Sequence, residues 1–146
     1  MPSAAPPTAR LALRNDPSEM ARLAAWLDTI ERDWALPPGP AHALRLCLDE
    51  AVVNVLTHGF RPGQPQAVEI TLLRQPVLTA IVVDDGAPFD PTACALPPRP
   101  HTLEEAPAGG MGLRLLRHYA TRLTHSRPDG RNRLEMEFMP DGEAPG

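Results

Sequence analysis

The segment from Leu46 to His58, with the sequence LCLDEAVVNVLTH, decides how the rest of the chain is interpreted. It is predicted to be helical, and its residues Glu50, Asn54 and His58 are spaced so that they share one helix face. The surrounding residues are mostly apolar, so this polar row is not plainly a solvated face. A carboxylate and a carboxamide one turn apart can act as a general base and a magnesium-oxygen ligand. The alternative is a surface edge with an ordinary i,i+4 hydrogen bond.

The prolines around this segment indicate where other regular structure can run. There are 19 prolines among 146 residues, and proline is excluded from helix interiors and central strands. The proline-free windows are residues 8–16, 18–36, 41–61, 66–75, 77–87, 108–127 and 129–139. Their lengths predict the order β-α-α-β-β-α-β, with room for one further strand at residues 122–127.

Hydrophobic periodicity supports a helical interpretation of the first two long windows. The first helix is expected to start at Asp16-Pro17-Ser18-Glu19, where an early proline and an acidic first turn are typical of a helix N-terminus. The second is expected to begin after Pro38-Gly39-Pro40 and to end near Gly59. The buried stripe of the first helix is predicted to consist of Met20, Leu23, Leu27, Ile30 and Trp34.

Strand patterns complete the predicted fold. The run from Val77 to Val83 is nearly all apolar, as in a central strand buried on both faces. Tight turns at Gln75-Pro76 and at Pro128-Asp129-Gly130 predict hairpins, so the sheet is expected to be mixed and mostly antiparallel. Alternation predicts one buried face in three strands, formed by Leu11 and Leu13; by Val68, Ile70 and Leu72; and by Leu134, Met136 and Phe138.

A second candidate site lies where the apolar strand runs into Asp84-Asp85-Gly86. A carboxylate at a strand end can accept a hydrogen bond from an exocyclic amine such as that of adenine. The glycine would let a flat ring approach the backbone. An ordinary Asp-Gly turn is the alternative.

A third candidate site is the glycine cluster Gly109-Gly110-Met111-Gly112-Leu113, which opens the helix predicted from Leu113 to about Thr121. Glycines at a helix start expose backbone N–H groups to an anion, and the helix dipole adds to the attraction. Arg114 and Arg117 lie in the first turn and a half and could reach a phosphate. A flexible loop end with solvated arginines is the alternative.

Composition excludes several classes of function. All 14 basic residues are arginine, so neither a Walker A ATPase nor a Schiff-base enzyme, both of which need lysine, is compatible with the chain. A net charge of −4 without a basic run argues against nucleic-acid binding. Cys47 and Cys94 are far apart, which suits a reducing cytoplasm rather than a disulfide framework. No secretory signal and no membrane span are predicted.

Taken in order, the three candidate sites resemble the N, G1 and G2 boxes of the GHKL ATPase superfamily, which includes gyrase-type topoisomerases, a heat-shock chaperone class, histidine kinases and mismatch-repair ATPases. The resemblance covers roughly residues 8–139. Within the superfamily, the chain is most similar to the stand-alone anti-sigma-factor serine/threonine kinases. Three features favour that branch: the N-box segment from Leu48 to Phe60, the Phe89-Asp90-Pro91 ending of the G1 box, and the expected absence of the histidine-bearing dimerisation helix pair that a complete histidine kinase needs.

The resemblance implies a two-layer Bergerat α/β sandwich, with three helices on one face of the sheet, formed by a single ATP-binding domain spanning residues 1–146. ATP and magnesium are the implied ligands. Glu50 would be the general base, Asn54 the magnesium ligand and Asp84 the adenine-binding residue. The remaining ATP-binding residues would be His58, Gly86, Gly110, Gly112 and Leu113, with Arg99 or Arg114 taking the place of the missing lysine at the γ-phosphate. Residues 92–108 would form a lid over ATP.

The resemblance also implies a protein partner. The substrate would be a serine or threonine on a STAS-domain anti-sigma antagonist, and a sigma factor or another regulator would be the second target. The branch often forms homodimers through the sheet, although no apolar stripe of this sequence is assignable to an interface rather than the core. Two other functions remain open: nucleotide-gated sequestration of a regulator without catalysis, and simple ATP hydrolysis.

Overall fold

The computed structural model describes residues 8–56, 67–86, 116 and 118–138. Five strands and two complete helices lie in these ranges, in the order predicted from the proline-free windows. The elements are β1 (Thr8–Arg14), α1 (Glu19–Asp33), α2 (Pro38–Asn54), β2 (Ala67–Leu73), β3 (Leu78–Asp84), β4 (Arg122–Ser126) and β5 (Asn132–Phe138). The further strand predicted at residues 122–127 is therefore confirmed as β4.

The five strands form one sheet in the order β1-β2-β3-β5-β4. Each of the four described strand pairs is antiparallel, so the predicted predominance of antiparallel pairing is confirmed, and the described part contains no parallel pair. The crossover between β3 and β5 brings residues distant in sequence into register. Its pairing sets Asp84, the last residue of β3, directly opposite Asn132, the first residue of β5.

The core lies between the sheet and the helices. The inward-facing residues of β2 and β5 alternate with more exposed neighbours, as predicted, and Val68, Ile70 and Met136 are fully buried. The predicted stripe of α1 is also found, with Leu23, Leu27, Ile30 and Trp34 buried and Met20 packed beside them at the margin. Burial of these aliphatic and aromatic side chains is the main driving force for docking α1 and α2 on the sheet.

Two details differ from the sequence-based expectation. Helix α2 begins at Pro38, earlier than predicted, with Pro37 as its N-cap. Prolines are tolerated in the first helical turn because the N–H groups there have no intrahelical acceptor. Strand β3 is fully buried on the face formed by Ala80 and Val82, whereas Ile81 and Val83 on its other face are half-buried. This difference follows from the location of α1 and α2 on one side of the sheet.

The predicted third helix is described only at its end, where Leu116, His118 and Tyr119 are helical. Leu116 is fully buried in the core, and its carbonyl accepts a hydrogen bond of 3.0 Å from the Ala120 N–H. The Tyr119 ring makes an edge contact with His42 of α2, with 5.8 Å between ring centroids. The end of this helix therefore packs beside α2. Within the described ranges, no helix has the length and apolarity needed to cross a membrane.

Arg45 fixes α2 to α1. Its guanidinium bonds Asp28 Oδ1 at 2.7 Å and lies 3.2 Å from Glu31 Oε1, both on α1. It also donates to the Ala24 carbonyl at 3.4 Å. A guanidinium presents several donors in a fixed plane, so one side chain can hold three acceptors on the neighbouring helix. The clamp sets the position of α2, which carries Glu50 and Asn54.

Glu19 ties the start of α1 to β1 and gives the fold a testable pH dependence. Glu19 is 6% exposed, and its Oε2 accepts hydrogen bonds from the Arg14 N–H at 3.0 Å and from Arg22 Nη1 at 3.1 Å. The backbone hydrogen bond from Arg14 is the main reason that the pKa of Glu19 is lowered; Arg22 adds to this and desolvation opposes it.

We expect Glu19→Gln to destabilise the protein at neutral pH. A carboxyl with a lowered pKa stabilises the folded state above its unfolded pKa, roughly 4.3 for glutamate, and the contribution is lost as pH falls through the folded pKa. The gap in melting temperature between wild type and variant should therefore narrow below about pH 4.5. Thermal unfolding from pH 3 to pH 8 measures it, with Asp33→Asn at the exposed end of α1 as the control. If the difference in melting temperature between wild type and Glu19→Gln does not change with pH, the Glu19 charge does not contribute to stability in this way.

Candidate functional site: a cavity between the second helix and the ends of three strands

A cavity lies where the last turn of α2 meets the ends of β3 and β4 and the start of β5. Its lining includes Asn54, Val82, Asp84, His125, Asn132 and Leu134. The walls are mainly apolar, and the polar groups are few and close together. In small-molecule sites, apolar contact supplies affinity and a few polar groups fix the orientation of the ligand. The described residues enclose only about 30 Å³, so they form one part of such a site.

Asp84 is the buried carboxylate of the cavity, with 4% of its surface exposed. Its Oδ1 accepts a hydrogen bond of 2.8 Å from the Gly86 N–H and another of 3.0 Å from Asn132 Nδ2. Among the described residues, both hydrogen bonds to this carboxylate are made to the same oxygen. Oδ2 therefore remains available to accept a hydrogen bond from a ligand amine, as adenine binding requires.

The neighbouring Asp85 has a different environment. It is exposed, and its carboxylate pairs with Arg131, the residue just before β5. Of the two consecutive aspartates, therefore, Asp84 is the one that lines the cavity, and its role in adenine binding stays a prediction.

Asn54 ends α2 and lines the same cavity, with 8% of its surface exposed. The preceding residue, Val53, is 42% exposed, so the polar residue faces inward and the apolar one faces water. This arrangement is the reverse of a surface edge, which was the alternative interpretation of the polar row. Glu50 lies one turn earlier on the same face of α2 and is half-buried.

The helix segment before Glu50 is poorly solvated. Burial raises the pKa of the Cys47 thiol to about 12, so this side chain stays neutral and is not a reactive nucleophile. Burial also raises the pKa of Asp49, and the charge of Arg45 opposes that effect. Electrostatic interactions are strengthened in such surroundings because water screens them less.

The donor set suits a magnesium ion that is shared with a bound phosphate chain. In the described part of the chain, no cluster of three or more histidine, cysteine, aspartate or glutamate residues could hold a metal by itself. Magnesium usually keeps several waters and takes one or two protein oxygens together with substrate phosphates. The Asn54 carboxamide oxygen, buried at the cavity wall, is a ligand of this kind.

The other predicted site residues lie outside the described residues. They are His58, Arg99, Gly110, Gly112, Leu113 and Arg114, together with the predicted lid at residues 92–108. Their assignments remain predictions. The structure brings together Asn54, Asp84 and Gly86, which come from two of the three sequence motifs.

Asn132 and His125 line the cavity but were missed by the sequence analysis. Asn132 lies on the inward face of β5, two residues before Leu134, and is 4% exposed. A polar residue at an inward position of an alternating strand was the signal that could have identified it. His125, on the edge strand β4, had no such signal, because β4 is short and most of its residues are exposed.

The antiparallel sheet with helices on one face, and the cavity at the end of α2, define a histidine kinase-like ATPase fold. The structure resembles the histidine kinase domain of a blue-light activated histidine kinase from Erythrobacter litoralis with a TM-score of 0.50 and 18% sequence identity. That match covers 93% of this chain and 69% of the other. At this identity, the likeness shows the fold alone.

Sequence comparison gives the family. Residues 13–138 match the family of histidine kinase-like ATPase domains. The chain is also 42% identical, over 94 residues, to BtrW of Bordetella bronchiseptica, which is named a serine/threonine-protein kinase. This alignment covers 64% of the chain and 66% of BtrW. The chain therefore belongs to the histidine kinase-like ATPase domain family, within the GHKL superfamily.

Proposed function

We propose that this protein is an ATP-dependent protein serine/threonine kinase that acts as an anti-sigma factor or partner-switching regulator. The observation that carries the proposal is the burial of Asn54 and Asp84 in one cavity, with Glu50 one turn away on the same helix. Membership of an ATPase domain family supports ATP as the ligand. The similarity to BtrW supports a serine or threonine hydroxyl as the acceptor.

In the proposed complex, the adenine ring lies in the cavity. The exocyclic amine donates to Asp84, and the apolar side chains of Val82 and Leu134 contact the ring. The phosphates extend toward α2, where Asn54 would hold magnesium. The ion supplies charge neutralisation, which phosphoryl transfer needs more than covalent assistance.

The proposed reaction uses Glu50 as the general base. The hydroxyl oxygen of the target serine or threonine forms a bond to the γ-phosphorus, and the bond from that phosphorus to the β,γ-bridging oxygen breaks. ADP leaves with the electron pair of the broken bond, and Glu50 takes the hydroxyl proton. A carboxylate on a helix that Arg45 clamps in place can hold the required position.

The proposed acceptor is a STAS-domain antagonist, and the second target is a sigma factor or another regulator. We also propose that the protein acts in the cytoplasm. It would form a homodimer through the sheet. The second target would compete with the antagonist for binding to this protein. The bound nucleotide would select which of the two partners binds.

A transfer assay tests this function. The purified chain is incubated with magnesium, ATP labelled at the γ-phosphate and a purified STAS-domain protein of the same organism, with the Ser/Thr→Ala form of that protein as the control. We expect label on the STAS protein and none on the control. If the STAS protein binds in an ATP-dependent manner but neither it nor the Ser/Thr→Ala control becomes labelled, the result would favour a sequestering protein without catalysis. Label released as free phosphate would favour simple ATP hydrolysis.

A further inference from the structure

The β4–β5 hairpin makes two separate contacts with the Asp84-Asp85-Gly86 turn. Asn132 donates to Asp84, and Arg131 pairs with Asp85. Because Asn132 and Asp84 are directly opposite one another in the sheet, their side chains are within reach on the same face. The buried hydrogen bond from Asn132 therefore ties the hairpin to the Asp84 carboxylate itself, whereas the exposed Arg131–Asp85 pair contributes little.

The orientation of the Asn132 amide follows from its neighbours. The Asp84 carboxylate oxygen accepts hydrogen bonds, so the amide nitrogen of Asn132 faces it at 3.0 Å. The amide oxygen then faces Arg127 Nη1 at 2.7 Å and His125 Nε2 at 3.2 Å. Arginine can only donate, and the histidine nitrogen donates in this arrangement. A flipped amide would point its nitrogen at the guanidinium, so this network selects one orientation.

The network is anchored at the hairpin turn. Arg127 also donates to the Gly130 carbonyl, so the hydrogen bonds run from the turn through Arg127 and Asn132 to Asp84. At the other end, the Gly86 N–H binds the same Asp84 oxygen at 2.8 Å. Asn132 and Asp84 are each 4% exposed, and hydrogen bonds in such a poorly solvated place are strong and costly to break.

Two donors on one oxygen restrict rotation of the Asp84 carboxyl group. The second oxygen then keeps a constant place at the cavity wall, before any ligand arrives. A preorganised acceptor binds its donor without the cost of ordering it first. Without Asn132, the carboxyl group would lose one of these two restraints and could rotate about its bond to Cβ.

We propose that Asn132, held by Arg127 and His125, is a positioning residue that sets the preference of this site for a 6-aminopurine by fixing the Asp84 carboxylate. The inference rests on the proposed function insofar as the cavity binds the adenine ring of ATP. It adds a specific role for the β4–β5 hairpin, which contributes to base selection through Asp84.

Calorimetric titration with two nucleotides tests this role. The first is ATP, and the second is purine riboside triphosphate, in which a hydrogen replaces the 6-amino group. The wild type should bind ATP at least about tenfold more tightly than the second nucleotide, as expected for a hydrogen bond to a carboxylate. In Asn132→Ala this ratio should fall to about threefold or less, since the acceptor is no longer held in place.

Three further variants make the result specific. Arg133→Ala, next in sequence and on the opposite face of β5, should keep the wild-type ratio. Arg127→Ala leaves Asn132 in place but removes its strongest donor, and it should lower the ratio even if Asn132→Ala fails to fold. In an Asp84→Ala background, Asn132→Ala should change the ratio no further, because both act through the same carboxylate.

Wild-type ratios in Asn132→Ala and Arg127→Ala would overturn the inference, since a purely structural role for the network would leave base preference unchanged. A wild type that binds both nucleotides equally would overturn it as well. Failure of the kinase proposal has a different signature: ATP would bind with the expected preference, but no label would reach a STAS-domain protein.

Discussion

Replacing Glu50 by glutamine should lower the rate of phosphoryl transfer by about 10²- to 10⁴-fold. Glutamine keeps the size of the side chain and its hydrogen-bonding ability, but its amide is not a base for the hydroxyl proton. The Kd for ATP should change by less than about threefold, because the proton transfer belongs to the transition state rather than to ground-state binding. Single-turnover transfer of labelled phosphate measures the rate, and calorimetry measures the Kd.

Asp49→Asn is the matched control for this variant. It makes the same change of carboxylate to carboxamide at the preceding position, which points about 100° away around the helix. Transfer should stay near the wild-type rate. Full transfer by Glu50→Gln would remove Glu50 from the mechanism, and an equal loss in Asp49→Asn would mean that the net charge of α2 matters rather than one base.

Replacing Asp84 by asparagine should weaken ATP binding by at least about tenfold and change the base preference. The new amide oxygen can still accept from the Gly86 N–H and from Asn132, which keeps the local fold. Its nitrogen then takes the place of the free carboxylate oxygen and faces the adenine amine, so two donors meet. Inosine triphosphate, whose ring carries a carbonyl in place of that amine, should gain affinity relative to ATP.

Asp85→Asn provides the control for this change. Asp85 lies one residue away, is exposed and pairs with Arg131. An exposed ion pair contributes little, roughly 0–1 kcal/mol, so its loss should change the Kd for ATP by less than about threefold. Wild-type ATP binding by Asp84→Asn would show that the cavity does not bind adenine through this carboxylate.

Much of the fold could be predicted because its signals are local. Proline-free windows and the alternation of apolar and polar residues depend only on the sequence near each residue. Helix α1 and strands β2 and β5 lie where these signals predict them. The start of α2 was misplaced because prolines in a first helical turn lose no hydrogen bond. The burial of β3 was overestimated on one face, because apolar composition does not say that both helices lie on the other face.

The candidate site was predictable to a different extent. Glu50, Asn54 and Asp84 each lie in a short motif, so the sequence alone identified them as candidate site residues. Asn132 belongs to the same cavity, but its partner is 48 residues earlier in the chain. Only the antiparallel register of β3 and β5 brings the two residues together, and single-residue patterns carry no information about that register.

The central claim is that the Asn54–Asp84 cavity binds ATP, and thermal unfolding with and without magnesium-ATP tests it most directly. A ligand present at a hundredfold excess over its Kd stabilises the folded state by about 2.7 kcal/mol. For a chain of this length, that stabilisation corresponds to a rise in melting temperature of roughly 5–10 °C. If ATP binds in this cavity, wild type and Glu50→Gln should both show such a rise, and Asp84→Asn should show about half of it or less. No rise in wild type at millimolar magnesium-ATP, or an equal rise in Asp84→Asn, would contradict it.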